Sequence, residues 1–497
     1  MSRKALYSAI FAAIYLFSVS CGSTKSSDNN ETTAAPETTD SSSEVSETEV
    51  PPPDIEAVDC GGRDYVILNR QHGEYSYPFA EILSEEENGD TMNDAVWERN
   101  LYIEEKYNLN LVSYEVPTGN QLSTAKQTIL SGDSTYDLIM PMISDGFSLA
   151  MEGCLTDISS LPHIDLGNPW WVDSMISDTS IGGKNYIICG DINVSVLNAV
   201  GATFFNKNLA EELGIGDLYQ IVRDYEWTLD KMTELARLAS YDVNGNAEVD
   251  SGDRFGLDCS TFAWQPLFYG TGSSMITKDE NDIPHLSWDT EHNLTALGKI
   301  VSLLNERETT ICVNHYSEFS SDLGGATFNL FSNGQALFFS EVMYGAMQLR
   351  DMQDDFGILP LPKYDDNQDS YYSYVHTNNS STTCVPITNS DLDLAGRLLE
   401  DMAYKSYTTV RPAFYDVALK VKYSRDDESA EMLDIIYDNI NIDLTLVMNR
   451  SGLTIDNTLR SAMQSGNTDL VSLIAAQKST CEAIIDRNAE TILNLEN

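Results

Sequence analysis

The chain has 497 residues, with 29 Lys+Arg against 77 Asp+Glu and a formal net charge of −48. At roughly 150 residues per domain this length leaves room for about two or three domains with sizeable cores. A hydrophobic fraction of 42% with 9% aromatics excludes a wholly disordered chain. The charge argues against nucleic acid and against a bare anionic membrane surface, because both need Lys/Arg to displace counterions.

In chain order, residues 1–21 read MSRKALYSAIFAAIYLFSVSC. Arg3 and Lys4 precede an apolar run, Ala5 to about Phe17, too short for a comfortable membrane span, and Ser18 and Ser20 stand just before Cys21. The pattern resembles a bacterial lipoprotein signal, which implies removal of residues 1–20 and a lipid on Cys21. Residues 21–56 form a Ser/Thr/Glu/Pro-rich tether that includes Pro51-Pro52-Pro53; it is too poor in large apolar groups to offset its ordering entropy. A flexible coil of about 32 residues reaches roughly 30 Å, enough to hold a domain off a membrane. The expected location is therefore the extracytoplasmic face of the cell membrane, with the lipid as anchor. Seven further cysteines (60, 154, 189, 259, 312, 384, 481) contain no Cys-x-x-Cys pair. They are expected to be mostly isolated buried thiols, with one disulfide at most.

From residue 57 the chain alternates strand-like and helix-like stretches, which favours α/β layers. Asp64–Leu68 reads as a strand and Met92–Tyr107 as an amphipathic helix. Leu109–Val116 reads as extended, Gln121–Leu130 as a helix, and Tyr136–Met140 as a short apolar strand covered on both faces. Val196–Phe205 is apolar, and a helix opens at Asn206. Thr228 is a good N-cap for Leu229–Ser240, with Trp227 and Met232 spaced as a hydrophobic staple. Ser429–Asn439 and Leu470–Leu495 close the series of helices.

Asp242, Asn244, Asn246, Glu248, Asp250 and Asp253 stand at positions 1, 3, 5, 7, 9 and 12 of one loop, a spacing that lets oxygen ligands surround a calcium ion. Ala247 replaces the usual Gly at position 6, and Asp253 the usual Glu at position 12. The expectation is a structural calcium ion, against the simpler reading of an Asx-rich turn. No nucleophile elbow, zinc motif or phosphate loop occurs, and the six histidines are dispersed. No organic cofactor and no catalytic residues are expected.

Four stretches then appear in order: Gly183–Ile188 (GKNYII), Phe204–Leu209 (FFNKNL), Phe331–Phe339 (FSNGQALFF) and Phe356–Lys363 (FGILPLPK). So ordered, the chain resembles an extracellular solute-binding protein (family 1-like) of carbohydrate ABC transporters. The resemblance implies a two-lobed type II periplasmic-binding-protein fold, lobes joined by hinge strands. It places lobe 1 at 57–190 plus 356–405 and lobe 2 at 191–355 plus 406–497. It implies a non-enzymatic, monomeric receptor that captures a sugar, an oligosaccharide by preference, and delivers it to a permease. A peptide-like solute on the same fold and an anchored glycan hydrolase are the alternatives. Sugars need flat apolar faces and paired acceptors and donors. That need nominates Trp170, Trp171 and Trp264 for stacking, Asp145 after the 136–140 strand, Asp191 and Asn193 at the first crossing, and Glu341 and Tyr344 after the 336–339 strand.

Overall fold

The computed structural model describes residues 50–73, 77–420 and 427–495. The expected signal, Cys21 and residues 21–49 of the tether lie outside the described residues. The body, Pro52–Asn497, separates as one unit.

Two sheets organise it. The first holds β1 (Arg63–Arg70), β2 (Leu109–Val116) and β3 (Leu138–Met140) in the order β2-β1-β3, all parallel, with Leu68 opposite both Tyr114 and Ile139. Parallel neighbours need crossovers, here the helices α1 (Thr91–Tyr107) and α2 (Gln121–Leu130). The helix α1 starts where the Asp90 side chain accepts from the Asn93 N–H and stops at Asn108 in the left-handed region, φ 47°. These elements lie within a residue or two of those expected.

The second sheet has the order β8-β4-β7-β5-β6. Its strands are β4 (Gly201–Asn206), β5 (Phe255–Cys259), β6 (Thr310–Cys312), β7 (Ala336–Val342) and β8 (Phe356–Leu359). The strands β5, β6 and β7 run parallel, and β4 runs antiparallel to both β7 and β8. Every residue of β4 is buried, and Phe204 packs its ring on Phe339 and Phe356 at 6.0 Å each. Outside the sheet, Thr228 caps Leu229–Ala239 as expected, accepting from the Lys231 N–H. The apolar stretch 196–205 is split: Val194–Ala199 is a short helix, and the strand begins at Gly201.

Single bridges Ile139↔Cys384, Met142↔Ser381 and Ile188↔Thr383 lay residues 381–384 beside β3, while Val200↔Val375 ties the same segment to the start of the second sheet. The chain therefore leaves the first sheet over 188–200 and returns to it over 375–384. The expected crossing near 355 is displaced. Phe356–Leu359 belongs to the second sheet because Gly357 lets Phe205 and Tyr219 close on its backbone; a Cβ there would lie 2.2 Å from the Phe205 ring. The expected boundary at 405 is displaced as well. The helix Leu392–Lys420 rests on α1 through Lys106–Asp401 at 2.6 Å and Lys405–Glu98 at 2.7 Å. The next helix, Asp427–Asp438, joins the second side through Arg223–Glu431 at 2.8 Å. The seven body cysteines are free thiols, with Cys259 and Cys312 opposite each other on β5 and β6.

Candidate functional site

Ligands of open α/β sheets bind outside the carboxyl ends of the strands, where loops converge. Here β1 and β3 end at Arg70 and Met140, and β5, β6 and β7 end at Cys259, Cys312 and Val342. What collects beyond them is polar and enclosed.

Asp145 lies in the first turn of the helix Ile143–Met151 rather than in a loop. It is fully buried; Oδ1 sits 2.5 Å from Arg450 Nη1, and Oδ2 has no partner. Burial raises its pKa above the ordinary carboxylate range, and Arg450 pulls the other way. Beside it Ser144 donates to Asn378 Oδ1 at 3.2 Å, and Arg70 Nη1 donates to the Asn378 carbonyl at 3.4 Å. The returning segment thus stands between the two sheets' strand ends.

On the other side Trp264 begins the helix Trp264–Gly270; it is buried against Phe268, and its indole N–H is unpartnered. A relay follows. Tyr374 donates to Gln265 Oε1 at 2.8 Å, Gln265 donates to Asp456 Oδ1 at 2.7 Å, and Asp456 pairs with Arg460, which lies 4.2 Å over the Phe262 ring. His376 is half-buried with Nδ1 enclosed and unpartnered, and desolvation pushes its pKa down to about 4, so it stays neutral. Glu341 is in β7, not after it. It is half-buried, accepts from the Val342 N–H at 2.9 Å, and burial pushes its pKa up to about 7. Tyr344 is enclosed and accepts from Gln348 Nε2 at 2.6 Å. The structure thus gathers Asp145, Trp264, Glu341 and Tyr344 at strand ends.

The remaining nominees fall elsewhere. Asn193 is fully buried and spent on structure: it donates to Ser381 Oγ at 3.0 Å and Thr383 Oγ1 at 3.1 Å. Its neighbour in this lock is Glu81, a residue that no motif or spacing singles out. Buried Glu81 accepts from the Tyr77 hydroxyl at 2.7 Å, the Val194 N–H at 2.6 Å, Ser381 Oγ at 2.6 Å, and Ser195. One carboxylate therefore ties the outgoing crossing to the returning one.

Trp170, Trp171 and Asp191 line a separate cavity of about 450 Å³ against the helix Leu392–Lys420. Trp171 donates its indole N–H to Glu400 Oε2 at 3.0 Å, and Gly190 is pressed so close that a Cβ would lie 2.4 Å from the Trp170 carbonyl. Burial pushes the pKa of Asp191 up to about 7.

The 242–253 loop turns on its own side chains. Asp242 accepts from the Gly245 and Ala247 N–H groups at 2.6 and 2.9 Å, Asn246 from Glu248 N–H at 2.7 Å, and Asp250 from Gly252 N–H at 2.8 Å. Ala247 takes φ 62°, the conformation for which calcium loops keep Gly. Among the described residues no group of three or more His, Cys, Asp or Glu is arranged to hold a metal, and no helix is long and apolar enough to cross a membrane.

No family model and no curated protein matches the chain. Solved structures do match in fold. A cyclic α-maltosyl-1,6-maltose binding protein from Arthrobacter globiformis matches with TM-score 0.58 and 14% identity, over 86% of this chain and 99% of its own. An ABC substrate-binding protein from Listeria monocytogenes in complex with cycloalternan gives TM-score 0.52 and 12% identity, over 87% and 98%. A cyclo/maltodextrin-binding protein complexed with maltotetraose gives 0.54 and 10%, over 90% and 98%. The chain has the α/β, two-lobed type II fold of ABC-transporter substrate-binding proteins.

Proposed function

We propose that the protein is a lipid-anchored receptor that captures an oligosaccharide between its two lobes and passes it, chemically unchanged, to an ABC permease. The observation that carries the reading is a set of enclosed polar atoms without partners: Asp145 Oδ2 and Trp264 Nε1 on the helices that follow β3 and β5, and His376 Nδ1 on the returning segment. Enclosed polar groups cost free energy unless something pairs with them. Lobes that open and reclose on a polyhydroxylated ligand supply that partner, with Glu341 and Tyr344 alongside. The named ligands of the similar structures, cycloalternan and maltotetraose, are of this chemistry. On this reading lobe 1 takes 57–190 and about 376–417, lobe 2 takes 201–375 and the chain from about 428, and a monomer suffices.

The test is thermal denaturation with maltotetraose, cyclodextrin or a tetrapeptide at a hundredfold excess over the dissociation constant. A native-state ligand then contributes about 2.7 kcal/mol. A melting rise with a glucan that disappears in Trp264→Ala supports the reading; a rise with the peptide alone, or release of shorter sugars, overturns it. Lipid on Cys21 is tested by Cys21→Ser, which should move the protein from the membrane to the soluble fraction. The 242–253 loop is proposed as a structural calcium site remote from ligand capture.

A further inference from the structure

Two thiols of the second sheet stand together. Cys259 ends β5, Cys312 ends β6, and the two are register partners on neighbouring parallel strands. Neighbouring strands lie about 4.8 Å apart, and register partners project from the same face. A disulfide spans Cα atoms roughly 4.4–6.8 Å apart, so the strand spacing falls inside its range. Both side chains are fully buried, and the Cys259 thiol donates to Cys312 Sγ, which sets the sulfurs side by side. The other neighbouring pair differs. Cys189 and Cys384 flank the Ile188↔Thr383 bridge on a diagonal, where Cα atoms stand roughly 7–8 Å apart, and the Cys189 thiol donates to the Ser381 carbonyl at 3.4 Å.

The two thiols are unequal. The Cys259 S–H lowers the pKa of Cys312, helped by the Asn314 N–H and the charge of Arg307 and opposed by burial. Burial raises that of Cys259. Cys312 is therefore the better thiolate. It also ends a three-residue strand at the edge of its sheet, paired on one side only, so a local opening reaches it before the sheet centre yields. We infer that Cys259 and Cys312 are a modification site, a dithiol that an external disulfide converts into a staple between β5 and β6. The Cys312 thiolate attacks one sulfur of the oxidant, whose S–S bond breaks, and the first thiolate leaves with the proton that Cys312 gave up. Cys259 then attacks Cys312 Sγ in the mixed disulfide, and the second thiolate leaves with the Cys259 proton. Two cysteines are oxidised, and one external disulfide is reduced to two thiols. The staple closes the loop from 259 to 312 and so constrains the unfolded chain. It also joins the roots of the turns Thr261–Ala263 and Val313–His315, which already meet where the Thr261 N–H donates to Asn314 Oδ1 at 2.8 Å. The inference rests on strand register and is independent of what the lobes capture.

The experiment oxidises the full chain with oxidised glutathione, both in the native state and during refolding from urea. The reaction is quenched with acid, remaining thiols are alkylated in denaturant, and the peptides are mapped. The expected result is a Cys259–Cys312 cross-linked peptide, undone by dithiothreitol, and a melting temperature roughly 5 °C above that of the reduced protein. The rise should vanish in Cys312→Ala and persist in Cys384→Ala, which removes an equally buried thiol. If Cys312→Ala fails to fold, Cys259→Ser makes the same comparison, and the wild-type peptide map needs no variant. A Cys189–Cys384 cross-link in place of this one, or glutathione adducts that never resolve to the pair, overturns the inference. So do two thiols still open to alkylation after refolding in oxidant, or a melting temperature that stays level or falls on oxidation.

Discussion

Asp145 and Asp191 are both carboxylates at places where the chain meets the gap between two sheets, and the structure treats them in opposite ways. Asp145 has a counter-ion at 2.5 Å on one oxygen, while its other oxygen is buried without a partner. Asp191 has a cavity before it; its N–H donates to the Trp170 carbonyl, and its carboxylate accepts no hydrogen bond among the described residues. Burial raises the pKa of each, but Arg450 contributes a direct hydrogen bond to Asp145, whereas Arg411 acts on Asp191 only through its charge. Enclosure therefore takes two forms: one carboxylate keeps a buried oxygen that only a rearrangement exposes, and the other already faces open volume.

Glu81 sits at the crossings, where its hydrogen bonds pin Val194 and Ser195, at the start of the helix Val194–Ala199, to Ser381. Glu81→Ala strips the acceptor from several buried donors at once. The expected cost is about 3–5 kcal/mol, as for breaking a buried charged network. The readout is the urea midpoint at constant slope; a change under 1 kcal/mol would mean that the crossings are held by their backbone bridges alone.

A pH titration sharpens the contrast from the strand-end side. Burial lifts Glu341 from an ordinary 4.5 to about 7, so the folded state keeps a proton that the unfolded chain has released. Its stability contribution is complete below about pH 4.5 and is lost as pH rises through about 7. Glu341→Gln cannot ionise. Relative to the wild type it should gain stability between those limits, by up to about 3 kcal/mol at ~1.4 kcal/mol per unit. Parallel stability–pH curves would show Glu341 to be solvated.

The cavity side is probed through Gly190. Its backbone approaches the Trp170 carbonyl and the Trp171 ring too closely for a methyl group, with contacts at 2.4 and 2.7 Å. Gly190→Ala should cost about 2 kcal/mol by overpacking, read as a lower urea midpoint. Equal melting curves would mean that the 167–173 loop yields easily.

The strands and helices between residues 63 and 140, and the helix Leu229–Ala239, were legible because hydrophobic period and caps are local: Asp90, Asn108 and Thr228 each act within four residues. The crossings were not. Phe356–Leu359 reads as a strand in either lobe, and its partner is set by Gly357 meeting Phe205, about 150 residues upstream. Nor was Glu81 legible, because all its donors but Tyr77 are 113 to 300 residues away. Among the site nominees, position after a strand located Asp145, Glu341 and Tyr344 at strand ends. It could not separate Asp191 from Asn193, two residues apart, since which of them finds partners depends on Ser381 and Thr383, whose hydroxyls accept from Asn193.

The smallest effect is expected far from both regions, in the 242–253 loop. Ala247 is held at φ 62°, where an L side chain is strained and glycine is not. Ala247→Gly should therefore stabilise the loop by about 1 kcal/mol or less, because the relief of strain is partly offset by the greater freedom of glycine in the unfolded chain. Calcium adds a second reading to the same experiment. If the loop holds the ion, wild type should melt lower in chelator than in calcium, Ala247→Gly should widen that gap, and Asp242→Ala should abolish it. Asp242 now accepts from two N–H groups of its own turn, so Asp242→Ala lowers stability even without metal. The difference between calcium and chelator, rather than the melting temperature itself, is what distinguishes a calcium loop from an Asx-rich turn.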